Sequence, residues 1–272
     1  MKKLKMNLEL SNLGEKTHIW FPLPQLVCGE PKEWLNPIDF KIVADKKFGN
    51  QSAYFITNEP GIRISAAFLL SDNRESGNKN PKIFLQSNPM VQSDSPAIKN
   101  IAKYLFSGVS GDNGKAKKCF DWVIGYLEYA NPIRGLYSSI QALTDRKVDC
   151  GGFSTLLVAL LRAAKIPARC VFGWAVESKY GYHAWAEFFD KKKHSWIPCD
   201  PSVAHLGNRT KLDAGFGFIN DKRVIFSVGE DLELTGDNIK WNIPLLQSPV
   251  VVPLDDNGIP TKFFERLIWS VV

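Results

Sequence analysis

The sequence predicts an α+β protein in which a helical cluster packs on an antiparallel sheet, preceded by a β-rich N-terminal region. Short apolar or alternating runs fill the first 90 residues, and helix-period apolar stripes begin near residue 95. Strand-like runs return after residue 167. We therefore expect a β-rich N-terminal domain, a β-sandwich, over residues 1–92. A second domain should cover residues 93–272 and end in strands.

The N-terminal region contains five runs that are typical of strands, at residues 4–10, 17–21, 40–44, 52–57 and 62–70. Glycine, asparagine and proline stand between several of them and indicate turns. Residues 71–82 are polar and rich in glycine and asparagine, which predicts a loop.

Three helices are predicted after this loop. The first begins at Ser95-Pro96, an N-cap followed by proline at the first helical position. The second spans about residues 115–129. The third begins at Cys150, behind Asp149 as N-cap, and its long apolar stripe predicts the central helix of the core. Strands are predicted at 168–176, 182–189, 195–199, 223–228, 239–243 and 250–252, and residues 263–272 fit either a strand or a helix.

The composition excludes several classes of protein. No apolar run is long enough to span a membrane, and the basic start of the chain lacks the apolar segment of a signal peptide. The chain as written is therefore expected to be cytoplasmic, and export with a removed leader also fits the sequence. The formal charge of +6 is scattered, so nucleic-acid binding is not expected. The five cysteines form no CxxC pair, and no metal or cofactor is predicted.

Cys150 has a sequence context different from that of the other cysteines. The first N–H groups of a helix have no intrahelical partner, and with the helix dipole they stabilise an anion by about 0.3–1 kcal/mol. A thiolate is such an anion. Gly151 and Gly152 leave the backbone open beside the sulfur, so the Cys150 N–H is expected to be an oxyanion donor. The alternative is that Cys150 is a small residue that fills a helix start.

His183 and Asp200 lie on two predicted strands joined by the polar turn 190–194. A short hairpin there would place them roughly opposite each other, with Cβ atoms about 4.5–5.5 Å apart if both are on one face. A carboxylate at that distance can hold an imidazole in the tautomer that a general base requires. The alternatives are a core histidine and an Asp-Pro turn, and a slip of one residue would face the two side chains apart.

Together these stretches resemble the transglutaminase-like superfamily of papain-type folds. The matching segments are Asp149-Cys150 and residues 161–169, 183–187 and 196–202, and the resemblance is closest over 95–205. Within the superfamily, these segments resemble the prokaryotic members. The resemblance implies a peptide or protein substrate and a Cys, His, Asp order, here Cys150, His183 and Asp200 as nucleophile, base and orienting acid.

The sequence also departs from the family. Val148 stands where glycine is frequent, and Gly151 stands where animal cross-linking enzymes carry tryptophan. Calcium-ligand clusters and zinc-binding CxxC pairs are not evident, which argues against calcium activation and against the peptide N-glycanase branch. The family's second oxyanion donor is an upstream side chain. Gln141 is a candidate for it, and the alternative for Gln141 is a surface helix residue.

We therefore expect a thiol acyl-transfer enzyme that acts on peptide or side-chain amides, with a cysteine peptidase or amidohydrolase as the preferred form. The alternative is a protein-glutamine transferase that cross-links or deamidates. Transfer to an amine uses the same chemistry with a different second nucleophile. A non-catalytic peptide-binding module is a further alternative, and Trp174, Tyr182 and Trp185 are candidate cleft residues in either case. A structural role carried by the N-terminal domain is the last alternative.

Overall fold

The computed structural model describes residues 3–25, 33–34, 39–69, 80–175, 181–207, 215–218 and 223–271. The helices are α1 (Pro96–Leu105), α2 (Asp112–Tyr126), α3 (Ser139–Asp145), α4 (Cys150–Ala163) and α5 (Pro201–Leu206), with a 3₁₀ helix at Pro81–Leu85. The first strands are β1 (Lys3–Ser11), β2 (Lys16–Pro22), β3 (Glu33–Trp34), β4 (Lys41–Ala44), β5 (Gln51–Thr57) and β6 (Gly61–Leu69). Short strands β7 (Glu128–Tyr129) and β8 (Lys147–Val148) follow. The later strands are β9 (Ala168–Ala175), β10 (Tyr182–Asp190), β11 (Ser195–Cys199), β12 (Arg223–Val228), β13 (Leu232–Gly236), β14 (Ile239–Ile243), β15 (Val250–Leu254) and β16 (Phe264–Val271).

Helix α4 is the central helix of the core, as its apolar sequence predicts. Residues 151–162 are all buried, and α4 packs against β9, β10 and the other helices. Its start is set by Asp149, whose side chain accepts hydrogen bonds from the backbone of the first turn. Gly151 and Gly152 are buried, so their N–H groups need such a partner in place of water.

An antiparallel sheet in the order β11-β10-β9-β12 lies against α4. Its β10 alternates as expected for a strand with two different faces. Ala184, Ala186 and Phe188 point into the core that contains α4, and Trp185 lies in a second core. The hairpin β10–β11 and the start of α4 are the elements that hold the candidate site.

Two further sheets combine strands from the two ends of the chain, in the orders β16-β1-β6-β3 and β15-β2-β5-β4. Both contribute apolar side chains to one core, including Leu8, Phe21 and Phe55. The last two strands thus belong to sheets built mainly by the N-terminal region. The division at residue 92 stays a prediction, and β15 and β16 lie on the N-terminal side of the molecule.

Several elements differ from their predictions. Strand β3 and the short helices α3 and α5 were not expected from the pattern. Helix α2 begins and ends three residues earlier than predicted, and it ends before residue 128 because residues 128–129 pair with β8. Within the segment 263–272, Phe264–Val271 form a strand, β16. Most of the predicted loop 71–82, and Cys28, lie outside the described residues, although 81–85 are 3₁₀ helix. Among the helices described, none has the length and apolar character to cross a membrane.

Candidate active site

Cys150 is the first residue of α4 and is partly buried. The Asp149 carboxylate accepts hydrogen bonds from Gly151 N (3.0 Å), Gly152 N (3.2 Å) and Ile133 N (3.2 Å). Burial raises the pKa of Asp149, although these backbone donors oppose the shift. Within the described part of the chain, the N–H of Cys150 itself donates to no acceptor. One backbone donor therefore remains open beside the sulfur.

His183 lies between the thiol and a carboxylate. Its Nε2 is 2.7 Å from Asp200 Oδ2, and its ring also hydrogen-bonds to the Cys150 side chain. Because Nε2 faces Asp200, Nδ1 is the ring nitrogen left available to the thiol. Burial by itself would lower the pKa of His183. The charge of Asp200 and the hydrogen bonds to Asp200 and Cys150 outweigh burial and raise this pKa to about 10.

Asp200 is fully buried and each of its oxygens has two donors. Oδ2 accepts from His183 and from Arg223 Nη1 at 2.6 Å, and Oδ1 accepts from Ser202 Oγ at 2.8 Å and Val203 N at 3.0 Å. Burial would raise the pKa of this carboxyl, but the charges of His183 and Arg223 hold it well below its usual range. The carboxylate is thus ionised and fixed in place.

The register of the hairpin differs from the prediction by two residues. Cys199 pairs with Ala186, so Asp200 follows on across from Trp185 and not from His183. The predicted rough opposition is therefore off by two residues, because the turn has four residues, 191–194, with His194 in the left-handed region (φ 51°). A shift of two keeps both side chains on one face. They meet as diagonal neighbours, a distance that long side chains can bridge.

A cavity of about 350 Å³ opens beside Cys150. Its walls are mostly apolar, with Leu136, Phe172 and Leu245 among them, and Tyr182 and Gln247 also line it. An apolar cavity with a few polar groups is typical of a small-molecule or peptide site. The thiol is therefore accessible to a ligand that enters this cavity.

Gln141 is not placed to serve as an oxyanion donor. It lies in the first turn of α3, where its Oε1 accepts from Ser138 N and its own N–H donates to Ser138 Oγ. This reciprocal pair is a capping box, a local helix-start motif. Gln141 is exposed and does not line the cavity beside Cys150. These contacts agree with the alternative interpretation, in which Gln141 is a surface residue of a helix.

The three candidate cleft residues have different environments. Tyr182 lines the cavity. Trp185 is only 2 % exposed and stacks beside the His183 ring, so it supports the site from behind and is no cleft wall. Trp174 packs edge-on against Tyr182 and is not among the residues that line this cavity.

Three residues of the site escaped the sequence analysis. Ser202 lies in the conspicuous Asp200-Pro201-Ser202 stretch, so proximity could have indicated it. Arg223 and Gln247 come from distant segments without a local motif. The Gln247 amide donates to Gly173 O and His183 O, each at 2.9 Å, and so fixes the backbone that carries the imidazole.

A helix that starts at a cysteine and packs on an antiparallel sheet carrying histidine and aspartate defines the α+β class of papain-type folds. Residues 99–201 match the family model of the transglutaminase-like superfamily, which is what this core of the chain is similar to. No curated protein matches the chain.

The chain is also similar to several solved structures. A candidate cysteine protease from Cytophaga hutchinsonii is 17 % identical with a TM-score of 0.59, over 98 % of this chain and 90 % of that one. The periplasmic domain of TgpA from Pseudomonas aeruginosa is 17 % identical with a TM-score of 0.40, over 76 % and 75 %. LapG from Legionella pneumophila is 14 % identical with a TM-score of 0.35, over 55 % and 90 %. The first of these shows that the fold extends over nearly the whole chain.

Proposed function

We propose that the protein is a thiol acyl-transfer enzyme that cleaves peptide or side-chain amides, in its preferred form a cysteine peptidase. One observation carries the proposal: the His183 ring hydrogen-bonds both to the Cys150 side chain and, through Nε2, to the buried Asp200 carboxylate. A nucleophile, a base and an orienting acid in hydrogen-bond reach are the parts that nucleophilic catalysis requires.

In the first half of the reaction, the Cys150 thiolate attacks the carbonyl carbon of the amide. The oxyanion that forms would be stabilised by the open N–H of Cys150. His183 donates its Nδ1 proton to the leaving amine as the C–N bond breaks, which leaves a thioester on Cys150. Asp200 keeps its charge and holds the imidazole in position, as Arg223 and Ser202 hold Asp200.

In the second half, His183 accepts a proton from water while the water oxygen attacks the thioester carbonyl. The C–S bond breaks, the acid leaves and the thiolate–imidazolium pair returns. If a lysine amine replaces water, the same steps form an isopeptide bond. If the amide is a glutamine side chain and water attacks, the product is glutamate, and ammonia has left in the first half.

Site-resolved alkylation tests the nucleophile. At pH 6 an ordinary thiol is almost entirely protonated, whereas a thiolate paired with imidazolium should react with iodoacetamide at least about tenfold faster than glutathione does. Mass spectrometry locates the label, and the buried Cys119 serves as the control that reacts only after unfolding. The variant His183→Ala should lose the advantage. A Cys150 that reacts no faster than glutathione would indicate a binding module instead.

Incubation with casein separates the reaction types. New N-termini that depend on Cys150, and are absent with Cys150→Ala, would establish the peptidase. Ammonia release without new termini would indicate deamidation, and Cys150-dependent incorporation of a fluorescent primary amine would indicate transfer. Either of the last two results would replace the peptidase by the transferase alternative.

A further inference from the structure

The cavity beside Cys150 continues into a larger one of about 740 Å³. Both cavities are lined by the same five residues where they meet: Ile133, Gly135, Tyr182, Leu245 and Gln247. The larger cavity then reaches the segments of β15 and β16. Each of these is the last strand at one side of its described sheet. The two cavities together form a groove that leads from the thiol to β16, which we call the β16 groove.

Glu265 lies in the β16 groove at a position where the strand pattern requires an apolar residue. It pairs with Leu10, and its neighbour Leu267 pairs with Leu8. Both of these leucines of β1 are 1 % exposed. Residues that pair across an antiparallel ladder share one face of the sheet, so Glu265 faces inward. Its side chain is only 16 % exposed.

The charge of Glu265 is weakly compensated. Over the described residues its one ion-pair partner is Arg134, at 3.3 Å, and the Arg134 side chain is 92 % exposed. An ion pair with so exposed a partner contributes little. Burial raises the pKa of Glu265, and the charge of Arg134 opposes this shift only in part. A carboxylate withdrawn from water in this way gains from a better-seated cation.

We propose that the β16 groove binds an extended peptide segment of the substrate and that a lysine or arginine side chain of this segment pairs with Glu265, replacing Arg134. Phe263 and Leu267 flank Glu265 and line the groove, so they can cover the aliphatic stem of the basic side chain. This proposal names the substrate class of the proposed enzyme and therefore rests on the proposed function for its catalytic meaning.

The overall positive charge does not oppose this preference. Charges on the surface are screened over about 8 Å at physiological ionic strength, so the carboxylate in the groove dominates locally. An inward charge on the end strand of a sheet can also act against edge-to-edge aggregation. That role requires no preference for basic peptides, and the experiment below separates the two.

The test measures binding with the full chain carrying Cys150→Ala, so that no turnover occurs. Fluorescein-labelled octapeptides of alanine, leucine and glutamine, with lysine or norleucine at each position in turn, are titrated by anisotropy. Lysine at one position should bind about tenfold more tightly than norleucine, as expected for a hydrogen bond to a charged group. Adding Glu265→Gln should abolish the difference, and adding Arg134→Ala should enlarge it.

The matched control is Glu233→Gln, which removes an exposed carboxylate paired with Lys240 and should leave the preference unchanged. Arg134→Ala keeps the test decisive if the Glu265 variant does not fold. No lysine preference in the Cys150→Ala chain, with or without Arg134→Ala, would overturn the proposal, as would a preference that survives Glu265→Gln. If Cys150 is reactive but lysine is not preferred, only the inference about the β16 groove is refuted. If lysine is preferred but Cys150 is unreactive, only the proposed enzymatic function is refuted.

Discussion

Glu187 on β10 and Asp200 just after β11 are both buried carboxylates, and they differ in what surrounds them. Glu187 pairs with Arg169, whose Nε and Nη2 lie 2.9 Å and 2.7 Å from one oxygen. The guanidinium is covered by Trp196, 4.0 Å from the ring centre. Asp200 instead holds a histidine that contacts a thiol beside a cavity. Both positions bury a charge. Only at Asp200 is the buried charge linked to a thiol that a ligand can reach through a cavity.

The substitution Asp200→Asn should have the largest effect. Asparagine keeps a hydrogen-bonding group beside His183, but it can no longer stabilise the imidazolium or fix its tautomer. We expect Cys150-dependent amide cleavage to fall on the order of 10²–10⁴-fold, as in other Asp-His pairs. Steady-state rates measure this, and a urea unfolding curve checks that loss of the charge partner of Arg223 has not unfolded the protein. Cleavage at the full rate would remove Asp200 from the mechanism.

Glu187→Gln should affect stability and leave the chemistry intact. It leaves Arg169 buried without a counter-charge, which typically lowers the free energy of unfolding by about 3–5 kcal/mol. Chemical denaturation measures the loss, with Glu233→Gln on the exposed pair with Lys240 as a control that should change little. The folded fraction should alkylate at Cys150 as fast as wild type. A slower Cys150 in this variant would erase the contrast between the two carboxylates.

The pH dependence of stability should reflect the Asp200–His183 pair. The pKa of His183 is raised from 6.5 to about 10, so its stabilising contribution is complete below pH 6.5 and disappears as the pH rises to 10. The pKa of Asp200 is lowered, so its contribution exists above its ordinary pKa of 3.8 and is lost as the pH falls below that value. Unfolding at a series of pH values should show less alkaline loss in His183→Gln than in wild type. Equal loss in both would contradict the raised pKa.

Gln141→Ala should have the smallest effect. It removes one half of the capping box of α3, which costs about 0.5 kcal/mol of stability. Because Gln141 is exposed and lies outside the cavity, alkylation and cleavage rates should stay within experimental error of wild type. A hundredfold loss of cleavage with normal alkylation would return Gln141 to the role of oxyanion donor.

The parts of the site that local patterns determine could be predicted. The apolar stripe after Cys150 predicts the buried helix α4, and the aromatic-rich run around His183 predicts β10. The register of two paired strands depends on the length of the turn between them. Composition does not predict the four-residue turn with His194 in the left-handed region. Arg223 and Gln247 reach the site through tertiary folding, and no periodicity connects them to Cys150. Helices α3 and α5 have seven and six residues, too few for a helical period to stand out.

The pairing of the two ends of the chain constrains how this protein can be synthesised. Leu4 lies opposite Val271 and Trp20 opposite Val250, so β1 and β2 meet these two partners only after the whole helical core between them has been synthesised. Until then β1 and β2 each present an open edge, the kind of surface that favours aggregation. The helical core around α4 has all its local contacts by that time. A nascent chain should therefore assemble its middle first and close its sheets last.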